Sequence, residues 1–111
     1  MKDDQFLTPP DHVHFHAKRL FGDMGNIMDG AIAYLEPNGG GPTTVHTHAH
    51  DHLFIVTEGE AKIQYGEDTV IVPKNSSFLV KGKVPHAVWN HCDSVTVMVG
   101  ISLKAEETSA S

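Results

Sequence analysis

The sequence predicts an all-β domain folded as a sandwich or barrel, and three observations lead there. Turn signals recur about every eight to twelve residues, the spacing of short antiparallel strands. Between them lie runs rich in β-branched and aromatic residues, which suit a pleated, half-buried surface. No window long enough for a helix keeps a 3.6-residue apolar period without Gly or Pro interrupting it.

The elements follow in order. Residues 13–21 form a candidate first strand, ended by Gly22-Asp23-Met24-Gly25-Asn26. Residues 30–36 form a second, closed by Pro37-Asn38-Gly39-Gly40-Gly41-Pro42, a dense cluster of turn formers. Residues 43–48 and 52–57 are β-branched runs, and Glu58-Gly59-Glu60 turns the chain into 61–65. Gly66-Glu67-Asp68 leads to 69–72, which Pro73 stops; 78–81, 84–90 and 94–103 complete the set. In the last, Val95, Val97, Val99 and Ile101 alternate with Thr96, Met98, Gly100 and Ser102, the period of a half-buried strand. The barrel should span about 13–103 of a single domain 1–111, with polar, loose ends at 1–11 and 104–111.

Composition bounds the function. The chain has 111 residues, 40% hydrophobic and 20% charged, ordinary for one globular domain. Its formal net charge is −6, and Lys and Arg are scattered, so no basic face is available for nucleic acid. No apolar run approaches a membrane span. The lone cysteine, Cys92, excludes an intrachain disulfide, and the start Met-Lys-Asp-Asp-Gln has no apolar signal region. Both point to a reducing, cytoplasmic setting.

Nine histidines are the unusual feature. His46 and His48 stand two apart on a predicted strand, so both imidazoles emerge on one face. A short connection through Ala49-His50-Asp51 lets His52 open the next strand beside the first, and His86 heads a later one after Pro85. In a closed barrel His46, His48, His52 and His86 converge on one interior point. Four neutral nitrogens suit one divalent transition metal (Mn, Fe, Ni, Zn or Cu) rather than Ca or Mg. His12, His14 and His16 alternate along the first strand, where one shared face makes a second metal site or a lined interface conceivable.

These residues resemble the cupin family. Gly40-x5-His46-Thr47-His48-x3-His52-x6-Gly59 matches the first cupin motif at every fixed position but one, with His52 where glutamate is usual. His86 and Asn90 satisfy the H-x3-N of the second motif, whose P-x-G is replaced by Lys81-Gly82-Lys83. The resemblance, over about residues 30–103, implies a double-stranded β-helix, or jelly-roll, barrel with a four-histidine metal site. At the position of His50 the family commonly carries a histidine that is not a ligand.

The resemblance also implies a metal-dependent enzyme on a small organic substrate, either an oxygenase or a non-redox isomerase, cyclase or lyase. The alternative is a module that captures a sugar, metabolite or metal without turnover, and a third reading is a structural barrel with empty histidines. Replacing a carboxylate by His52 leaves the ion its full formal charge, making it a stronger Lewis acid towards an anionic ligand. No general base stands out. A homodimer is expected, because Ile71, Leu79 and Trp89 should face outward if Val72, Val80 and Val88 face inward. Small cupins pair through sheet faces or by lending an N-terminal strand, here residues 13–21.

Overall fold

A computed structural model of the protein describes residues 6–105. Every regular element among them is a strand: β1 (Val13–Phe21), β2 (Ile27–His46), β3 (Asp51–Glu58), β4 (Glu60–Tyr65), β5 (Asp68–Pro73), β6 (Ser76–Val80), β7 (His86–Asn90) and β8 (Thr96–Leu103). They hydrogen-bond in the order β5-β4-β7-β2-β8-β3-β6, with β1 on β2. All pairings are antiparallel. The two ends of this path, β5 and β6, are consecutive strands joined through Lys74 and Asn75, so the sheet nearly closes on itself. The all-β jelly-roll expected from the sequence is the fold observed.

One expected boundary is corrected. The Gly-rich stretch 37–42 does not end a strand; β2 runs through it and changes partners there. Its first half pairs with β1 and β8 up to Leu35↔Thr96, and its second half pairs with β7 from Gly40↔Trp89 onward. Gly40 and Gly41 both have φ 149, and a Cβ on Gly40 would sit 2.3 Å from the Val88 carbonyl oxygen. Glycine therefore serves a close approach between two backbones rather than a reversal.

The register builds the interior in rungs. Ala33, Met98 and Val56 form one cross-strand row over β2, β8 and β3; Ala31, Gly100 and Phe54 form the next; Asp29, Ser102 and His52 form the third. The same periodicity across β2, β7 and β4 places His46, His86 and Tyr65 in one row. Beneath both lies a core that includes Leu35, Val56, Ile63 and Val80, all fully buried. Val72, Val80 and Val88 do point inward, while Ile71 and Leu79 are 41% and 40% exposed.

Residues 1–5 and 106–111, the outer parts of the ends expected to be loose, lie outside the described residues. The segment before β1 is tied down instead: Leu7 and Ala17 exchange two backbone hydrogen bonds of 2.8 Å. Residues 13–21, the candidate lent strand, pair with β2 of their own chain. No helix among the described residues is long and apolar enough to cross a membrane.

Candidate metal centre

Five imidazoles gather at one end of the barrel. His46 ends β2 and pairs in register with His86, the first residue of β7. Their ring centroids are 4.9 Å apart, and His48 lies 5.1 Å from His46 and 4.7 Å from His86. Two groups have donor atoms mutually within 4.8 Å, close enough to hold an ion: His46, His48 and His86, and His48, His50 and His52. His48 belongs to both. The predicted quartet is thus distributed over two overlapping triads, and His50, expected from the resemblance not to be a ligand, stacks on His48 at 4.1 Å between centroids.

Two expected placements are corrected. His48 is not on the strand with His46, because β2 ends at His46 and His48 lies in the following loop. Nor does His52 lie beside β2. β8 intervenes, and His52 is aligned with Ser102 of β8, whose hydroxyl lies 2.9 Å from its Nε2.

Hydrogen bonds fix the tautomers of the central pair. His48 Nδ1–H donates to the His50 carbonyl (2.7 Å), and His86 Nδ1–H donates to the Val84 carbonyl (2.7 Å). A carbonyl oxygen only accepts, so both Nδ1 atoms are protonated. In the neutral rings the remaining lone pairs are on Nε2, and these two atoms are 3.1 Å apart. Two lone pairs at that distance repel unless a cation lies between or beside them. This donor set fits a borderline-soft divalent metal.

Electrostatics favours the neutral form of His46, His50, His52 and His86. Burial, followed by the imidazoles of His50, His48 and His86, pushes the pKa of His52 down from 6.5 to about 4. His46 is lowered by burial and then by His48; His50 likewise. Burial also lowers His86, opposed by its bond to Val84.

The loop of His48 and His50 is held by a segment that contains no histidine. His48 N–H donates to the Gly82 carbonyl (2.9 Å). The buried carboxylate of Asp51 accepts from the Gly82 amide (2.9 Å) and from Lys81 Nζ (3.0 Å). The amide bond, offset in part by burial and aided by Lys81, draws its pKa below the usual carboxylate value. A Cβ on Gly82 would stand 2.0 Å from the His50 oxygen and 2.4 Å from the His48 oxygen. Gly82, Asp51 and Ser102 were not singled out from sequence. The one available signal was the strand parity that puts Ser102 on the face of Met98 and Thr96.

Asn90, the last residue of the second motif, lies away from the histidines. Its amide nitrogen donates to the carbonyls of Leu35 (2.9 Å) and Ser94 (2.8 Å), and its oxygen accepts from the Cys92 amide (2.9 Å). It locks the β7–β8 turn to β2.

The three N-terminal histidines do not share a face. His14 has φ 49 and sits at a register break in β1, so alternation fails there. His16 Nε2 lies 2.6 Å from Glu36 Oε2 on the outer side, whereas His12 packs edge-on against Phe15 and lines the interior cavity. Among the described residues no group of three close donors includes them. That cavity, of about 340 Å³, continues from the histidines over Phe15, Ala31, Ala33, Phe54, Val88 and Met98.

Comparison with known proteins agrees with this architecture. The cupin-domain family model (cupin-2) matches residues 31–102. Among solved structures, the plu4264 protein of Photorhabdus luminescens superposes with a TM-score of 0.75 at 23% identity, covering 97% of this chain and 88% of that one. An RmlC-like cupin from Shewanella frigidimarina gives 0.70 at 20% identity over 96% and 91% of the chains. A cupin 2 conserved barrel domain protein from Rhodopseudomonas palustris gives 0.74 at 14% over 93% and 72%. No curated protein sequence matches. The likenesses to solved structures extend to fold alone, while the family model spans well over half the chain: this protein belongs to the cupin domain family.

Proposed function

We propose that this chain is a metal-dependent enzyme for a small organic compound, with one divalent transition-metal ion held by His46, His48, His52 and His86. The observation that carries the proposal is the pair of Nε2 atoms 3.1 Å apart, each on a ring whose Nδ1–H is already committed to a carbonyl. Once bound, the ion supplies Lewis acidity towards a substrate oxygen, and a redox-active ion supplies oxygen chemistry as well.

The protein's own groups do the rest. The His50 and Val84 carbonyls orient the rings of His48 and His86, and in the tautomer whose Nε2–H donates to the Ser102 hydroxyl oxygen, Nδ1 is the nitrogen that His52 can offer. The cavity surrounds the substrate with side chains that exclude water. His12 is the histidine of the cavity wall outside both triads. Its Nδ1–H donates to the Pro10 carbonyl (2.8 Å), so its Nε2 is the nitrogen able to take up a proton.

The test is reconstitution of tag-free protein with Mn, Fe, Ni, Zn and Cu in turn. Each form is offered a panel of ketones, enols and small hydroxylated compounds, and product formation is followed by mass spectrometry. Metal-dependent turnover with at least one pair supports the proposal. Binding without turnover in every pair favours a capture module instead.

A further inference from the structure

The cavity beside the histidines has a one-sided chemistry. Among the described residues, six histidines form its polar part and Asp29 is its single carboxylate. The rest of the lining is Gly, Pro, Ala, Val, Met and Phe; among the described residues no lysine, arginine, hydroxyl or side-chain amide contributes. The register explains the split. Rungs Ala33–Met98 and Ala31–Gly100–Phe54 place small and apolar side chains directly below the rung of Asp29, Ser102 and His52.

Such a lining discriminates strongly. A sugar brings several hydroxyls, and each one buried without a partner costs roughly 1–3 kcal/mol. A phosphate or polycarboxylate needs fixed cations or N–H donors; the fixed charge lining the cavity is the anion Asp29, and Arg19, 3.7 Å from it and aligned with Ala31 on the cavity side of β1, is mostly exposed and not part of the lining. An apolar body gains from the same surface by leaving water.

We infer that the ligand of this barrel is a small, mainly apolar compound with one oxygen-bearing head: the head lies at the histidines and the body against Phe54, Val88 and Met98. Enolisable ketones, diketones and aryl or alkyl enols have this form; sugars, nucleotides and phosphate esters do not. The head depends on the metal reading given above, whereas the body depends on the cavity walls alone.

Straight-chain hydroxamates from acetohydroxamate to hexanohydroxamate separate the two, because the head is constant and only the tail grows. Gluconohydroxamate supplies a polyol tail. Each is titrated by NMR into metal-loaded and EDTA-treated full-length protein carrying methyl-labelled methionine. Met98 lines the cavity, and the exposed Met24 and Met28 act as controls. Full burial of each methylene should tighten binding about fourfold. The hexano-to-aceto ratio should be the same with and without metal, and Met98 alone should shift. Gluconohydroxamate should bind no better than acetohydroxamate. Ala33→Phe, which fills the cavity floor, should abolish the tail gain, and Ala31→Leu is the milder variant should the first not fold.

A ratio near one, or a gluconohydroxamate that binds as tightly as hexanohydroxamate, overturns the inference while leaving the metal reading intact. Equal affinity for every hydroxamate before and after EDTA overturns the metal reading, and the tail ratio still decides the inference.

Discussion

His48 is shared by both triads yet has one nitrogen to give, since its Nδ1–H is held by the His50 carbonyl. One ion per chain, not two, follows from that arrangement. His48→Ala should strip most of the metal, whereas His50→Ala should leave it; equal loss from both, measured by elemental analysis, would mean that His50 is a ligand. Ser102→Ala frees the His52 ring and should weaken metal affinity by roughly tenfold or more, as loss of such supporting bonds does elsewhere. Competition with a chromophoric chelator measures this, and unchanged affinity would remove Ser102 from the account. The low pKa of His52 predicts a pH effect on metal-free protein. Between about 6.5 and about 4 the unfolded chain binds a proton that folded His52 refuses. Stability from neutral His52 is therefore complete above 6.5 and lost as pH falls towards 4, by about 3 kcal/mol at most. Urea midpoints of EDTA-treated protein should drop across this window, more steeply than in His52→Gln; parallel curves would contradict the assignment.

At the scale of elements, the site depends on a loop that supplies no ligand. Gly82→Ala drives a Cβ into the carbonyls of His48 and His50, and overpacking of this kind costs about 1–3 kcal/mol. A lower melting temperature with weaker metal binding is expected, and loss of one without the other would uncouple this loop from the site. Asn90→Ala should cost a similar amount, about 1–3 kcal/mol, by leaving buried partners unpaired, yet leave metal content unchanged. These residues show what the sequence could and could not reveal. The strands from β3 onward were legible because turn formers bracket each apolar run. The glycines at 39–41 read as a reversal because glycine serves close backbone approach and tight turns alike, and only the opposing strand β7 decides between them. The break at His14 had no signal at all, since a histidine at positive φ carries no local mark. The clustering of His46, His48 and His86 was legible by spacing, but the placement of His50 depends on Gly82, which arrives from a distant loop.

Across the whole molecule, the parity of β8 separates a site face from an outer face. Thr96, Met98, Gly100 and Ser102 line the interior, while Val97, Val99 and Ile101 face outward. Ile101 continues through Leu53 to Leu79, and Val99 aligns with Ile32 and Ile55, giving an apolar outer sheet. A surface of this kind favours a partner, and a second copy is the simplest. Light scattering at micromolar concentration should give twice the 12.1 kDa chain mass, and Leu79→Glu should shift it to monomer; a wild-type monomer would dispose of this expectation. The histidine-held ion is measured by elemental analysis of tag-free protein beside His48→Ala. Wild-type protein should carry about one transition-metal ion per chain and the variant little. Metal-poor wild-type protein that takes up none of the five metals on reconstitution, or a variant that keeps its full complement, would contradict it.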